Sequence, residues 1–65
     1  MKLNTDDLKI AMARKQLNGP ELAKNMNVSY ASISYFLSGK RQPSTKMLGA
    51  LAKALEVDVT ELIED

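Results

Sequence analysis

The chain has no cysteine, no histidine and no tryptophan, and it holds only two prolines, three glycines, two tyrosines and one phenylalanine. Without cysteine there is no disulfide and no thiol nucleophile. Without histidine as well, the usual zinc ligands and the usual acid/base group of neutral pH are missing. No metal or cofactor is therefore expected, and a reducing, intracellular setting is the natural reading. Long apolar runs are also absent: none approaches the roughly 18 residues a spanning helix needs, and "MKLNTDDLK" carries acids by residue 6. The expectation is a soluble, cytoplasmic chain that is not exported and has no membrane partner. At 65 residues it lies near the lower limit for a core without staples. A single domain over residues 1–65, with every element serving one core, is expected.

The formal net charge of +1 conceals a polarised chain. Residues 9–46 carry seven cations against Glu21 alone, net +6, whereas residues 47–65 carry Lys53 against five acids, net −4. From Asn25 to Gly39 there is no charge at all. A basic middle suits an anionic partner, although charged faces are also ordinary solvated surface.

Helical spacing dominates. Asn4 or Thr5 caps a first helix with Asp6 and Asp7 in its first turn, and the helix ends near Leu17. "NGPE" breaks the chain and restarts it, with Asn18 or Gly19 as cap and Pro20 in the first turn. Leu22, Ala23 and Met26 form the stripe of this short second helix. In the uncharged stretch, Ile33, Phe36 and Leu37 fall on one side at 100° per residue, with Ala31, Ser34, Tyr35 and Ser38 opposite. Ser29 and Gly39 bound it as a third helix. Ser44 caps a fourth, whose buried face is Leu48, Leu51, Ala52 and Leu55. Gly49 inside it costs about 1 kcal/mol relative to alanine, which a close helix–helix approach would explain. Asp58 caps a last short helix anchored by Val57, Leu62 and Ile63. The fold class is all-α, with five short helices.

Two very short helices joined by a tight turn, the second uncharged and followed by "SGKRQPS", carry a resemblance. Together with "ELA", "VS", "IS" and "LAKAL" in this order, the chain from about Leu8 to Leu62 resembles the Cro and phage-repressor type of helix-turn-helix domain, the XRE family. The resemblance implies a compact five-helix, lambda-repressor-like domain in which helices 2 and 3 dock on double-stranded DNA and helix 3 enters the major groove. It places Tyr30, Ala31, Ser34 and Tyr35 toward the bases and Ser32 near a phosphate or the groove edge. It also brings the helix 2 amides around Gly19 and Glu21, with Asn18, to a phosphate. Lys40 and Arg41 then clamp the backbone beside the helix. Tyr30 and Tyr35 read alternatively as half-buried surface aromatics, and Lys40 and Arg41 as loop solubility.

The chain departs from the family in four places. Gly19 stands where many relatives carry Gln, Pro20 removes an amide, and Glu56 stands where Gly usually ends helix 4. Met12 and Leu37 occupy positions where many members hold a buried Arg–Glu pair, and both are apolar here. Packed apolar groups can replace such a pair without loss, so Met12 is expected to pack on Leu37. From Val28 to Leu37 there is no Arg, Lys, Asn or Gln, so bidentate pairs with guanine or adenine are not available there. Ala31 and the tyrosine rings against thymine methyls, with a serine hydrogen bond, point to a site rich in A·T steps read partly by shape.

The function expected is a sequence-specific transcriptional regulator of bacterial or phage type. It would act as a repressor and homodimer on paired half-sites, with the acidic C-terminal end, including Val59 and Ile63, as dimer face. A protein-interaction module on the same fold, antitoxin-like or an accessory subunit, is the other reading. An enzyme is disfavoured, because the acids converge on no base and the domain has little room for a deep pocket. No small-molecule ligand or ligand-sensing segment is evident.

Overall fold

In the computed structural model, residues 1–64 are described. The order is strand β1 (Lys2–Leu3), helices α1 (Thr5–Arg14), α2 (Gly19–Met26), α3 (Tyr30–Ser38) and α4 (Thr45–Leu55), a 3-10 turn (Val59–Glu61) and strand β2 (Ile63–Glu64). The expected all-α fold is present, with its fifth helix reduced to the single 3-10 turn. The two short strands were not foreseen. They pair antiparallel, Lys2 with Glu64 and Leu3 with Ile63, and close the chain's ends on each other. No described helix is long and apolar enough to cross a membrane.

Each start is set by a side chain. Asn4, Ser29 and Ser44 accept from the backbone N–H three residues on, and Asn18 and Asp58 each form a reciprocal capping box with a glutamate. The ends share one device. A residue with left-handed backbone, Gln16, Asn27, Gly39 or Glu56, follows each helix. The next N–H then reaches back five residues: Leu17 to Met12, Val28 to Ala23, Lys40 to Tyr35 and Val57 to Ala52. This 6→1 bond is the Schellman closure, which favours glycine, yet glycine fills only one of the four positions. Gln16 is thus why α1 stops at Arg14, short of the expected Leu17, and Glu56 is the departure noted at the end of α4.

The helices bury one cluster that runs from Leu3 and Leu8 through Leu22, Ile33 and Phe36 to Leu51, Leu55 and Leu62, with no polar side chain buried among the described residues. Met12 belongs to it, and Leu37 is half-buried against it. Val59 and Ile63, expected on an exposed apolar face, are likewise half-buried against this core. Gly49 is exposed, and a Cβ there would meet nothing within 4 Å, so no close approach accounts for it.

Candidate nucleic-acid interface

The residues Asn27, Val28 and Ser29 join α2 to α3. Asn27 ends α2 in the left-handed region and Ser29 immediately caps α3, so the turn has almost no slack. Leu22 and Ala23 from α2 and Ile33 and Phe36 from α3 share the core. Burying Ile33 and Phe36 fixes the rotation of α3, which turns Ala31, Ser34 and Tyr35 outward on the opposite side, while Tyr30, the first residue of α3, is exposed at the helix's leading end. Tyr30 is 53% exposed, Tyr35 41% exposed and Ala31 exposed, while Ser34 is half-buried between them. Both tyrosines are therefore surface groups with about half of their area covered.

At the far end of this face the basic loop is drawn back onto α3. The Tyr35 carbonyl accepts from the Lys40 N–H at 3.0 Å and from the Ser38 hydroxyl at 3.2 Å. The Arg41 guanidinium sits 5.4 Å from the centroid of the Tyr35 ring, a cation–π contact worth about 0.5–1 kcal/mol at an exposed site. Tyr35 therefore orients the arginine beside it. The same loop is pinned from its other side by Gln42, whose Oε1 accepts the Leu3 N–H at 3.0 Å. Neither role was read from the sequence, because both link residues through tertiary contact; a glutamine in a basic loop carries no local signal.

The positive charge of the chain's middle is divided by the fold. Arg14 pairs with Glu61 at 3.3 Å and Lys15 pairs with Glu56. The Lys15 hydrogen bond and its charge hold the Glu56 carboxyl below its usual range. Asp58 is lowered too, by the backbone N–H of Thr60 and then by its hydroxyl. The acidic C-terminal end thus neutralises the end of α1. Among the described residues, Lys40 and Arg41 have no carboxylate within 4.0 Å.

The start of α2 is more self-contained than the anion site expected there. Asn18 Oδ1 accepts the Glu21 N–H at 2.8 Å, and Glu21 Oε1 accepts the Asn18 N–H at 2.9 Å. Pro20 has no N–H to give. The Asn18 side-chain NH₂ and the Gly19 N–H take no part in this box. Ser32 also looks inward to its neighbours: its hydroxyl lies 3.1 Å from that of Ser29.

A family model described as helix-turn-helix matches residues 10–62. No protein of curated function matches the sequence at a significant level. Among solved structures, the chain is similar to a candidate DNA-binding protein from Bacteroides fragilis, with 41% sequence identity and a TM-score of 0.83 over 98% of this chain and 100% of that one.

Proposed function

The chain belongs to the helix-turn-helix family, and from that premise we propose that it is a sequence-specific double-stranded DNA-binding regulator, a repressor acting as a dimer on paired half-sites. The observation that carries this is the outward face of α3, uncharged from end to end and flanked by Lys40 and Arg41, which have no acidic partner among the described residues. Small and aromatic side chains let a helix approach base edges, while cations at its end hold the phosphates.

In this reading Tyr30, Ala31, Ser34 and Tyr35 face the bases. Asn18 through its side-chain NH₂, Gly19 through its N–H, and Lys40 and Arg41 meet the backbone. Glu21 acts by holding Asn18 in place, and Ser32 lines the groove edge. The face has no bidentate donor for guanine, so A·T-rich half-sites are expected, with thymine methyls against Ala31 and the tyrosine rings. One such domain neutralises few phosphates, so useful affinity needs two copies about one helical turn apart. Light scattering that found a monomer both free and on DNA would exclude the dimer.

Selection of duplexes from a randomised pool tests the reading. An A·T-rich, two-fold symmetric consensus is expected, lost in Tyr30→Ala/Tyr35→Ala; a G·C-rich consensus would contradict the base-facing assignment. The protein-interaction reading has one favourable observation, the Glu21 carboxylate closing the start of α2 where a phosphate would sit. Absence of any enriched duplex would favour it.

A further inference from the structure

Gly19 opens α2 with an ordinary helical backbone; of the described glycines only Gly39 has positive φ. Its backbone therefore does not call for glycine. The space above it does. A Cβ built on Gly19 would stand 2.7 Å from Tyr30 Cε1, with Cδ1 at 3.5 Å and Cζ at 3.7 Å. One edge of the Tyr30 ring occupies the volume a side chain at position 19 would fill. The neighbouring atoms are ring atoms of an exposed residue, so a side chain there would displace the ring and leave the fold unchanged.

We propose that Gly19 is a specificity-determining residue: by having no side chain, it seats the Tyr30 ring across the helix-turn-helix and fixes the ring's direction at the leading end of α3. The inference rests on the DNA-binding reading above and deepens it. An exposed tyrosine at the first position of a helix is otherwise free to change rotamer, and binding would have to order it. A ring already resting on α2 is preorganised, and it couples the helix that meets the phosphates to the residue that meets the bases. Here the first residue of α3 lies on a vacancy in α2.

The test compares full-length wild type, Gly19→Ala, Tyr30→Ala and the double variant on a duplex selected by the wild type and on an unselected duplex, each at two salt concentrations. Gly19→Ala should keep the melting temperature, yet lose preference for the selected over the unselected duplex by roughly two- to tenfold, the range set by ordering one side chain. In the Tyr30→Ala background, Gly19→Ala should change nothing further. A second readout needs no DNA. Because the chain has no tryptophan and two tyrosines, Tyr35→Phe leaves Tyr30 as the sole emitter, and adding Gly19→Ala should lower its fluorescence anisotropy. Unchanged preference and unchanged anisotropy, with salt-dependent wild-type binding intact, would overturn this inference alone. Wild type with no salt-dependent binding would overturn the DNA-binding reading and this inference together.

Discussion

Replacing Met12 by arginine should leave the domain largely unfolded at moderate temperature. Met12 is 6% exposed and lies in a cluster with Leu8 and Ala11 of its own helix. Leu37 of α3 is the half-buried neighbour of that cluster, and no described polar side chain is buried there to receive a cation. An uncompensated buried charge of this kind costs about 3–5 kcal/mol. A domain of this length has roughly 3–10 kcal/mol of stability in all, and each kcal/mol is worth about 4–8 °C. The melting temperature followed by circular dichroism should therefore fall by roughly 12–40 °C. Leu37→Glu, at a half-exposed site, should cost less. The double variant should recover part of the loss, because it supplies the partner the arginine lacks, whereas Met12→Leu should cost less than about 1.5 kcal/mol. An unchanged melting temperature in Met12→Arg, or a double variant that merely sums the two losses, would refute the idea that apolar packing has replaced an ion pair here.

Further outcomes follow from the caps and the charges. Gly49→Ala should stabilise by about 1 kcal/mol, since the position is exposed and unobstructed, and a lower melting temperature would show that α4 packs more closely there. Gly39→Ala should destabilise by about 1–2 kcal/mol through its φ of +78° alone, as a Cβ there meets nothing; a neutral result in thermal melts would remove the strain argument. Gln16→Gly should raise stability by about 0.5–1 kcal/mol for the same left-handed reason. Glu56 and Asp58 have lowered pKa values in the folded chain, so their contribution is complete above the unfolded carboxylate range and is lost as the pH falls below about 4. Glu56→Gln should flatten the Lys15-dependent part of that acid transition, which urea melts between neutral pH and pH 3 would reveal.

The helices were legible because their cores and N-caps are local patterns. Leu48, Leu51, Ala52 and Leu55 repeat at helical spacing, and Ser29, Ser44 and Asp58 are strong start signals. Their ends were less legible, since Gln16 and Glu56 take the left-handed conformation without being glycine; the Schellman closure comes from the apolar Leu17 and Val57 that follow. The terminal strands escaped notice because two-residue elements have no periodicity and exist only through a pairing across the whole chain. The same holds for the interface. Its outward face was readable from the rotation of α3, but the seating of Tyr30 on Gly19, the stacking of Arg41 on Tyr35 and the cancellation of Arg14 and Lys15 by the C-terminal acids are contacts between distant segments. A count of charges along the chain overstates the free positive charge for that reason.

The measurement that tests the account most directly is duplex affinity as a function of salt, by fluorescence anisotropy, for wild type and for Lys40→Ala/Arg41→Ala. The account predicts affinity that falls steeply with salt, and a variant whose binding weakens on every sequence with a log–log slope shallower by about 2 for each bound copy, hence about 4 for the dimer. A wild-type affinity indifferent to salt, or a slope unaffected by losing both cations, would contradict the assignment of this face to DNA.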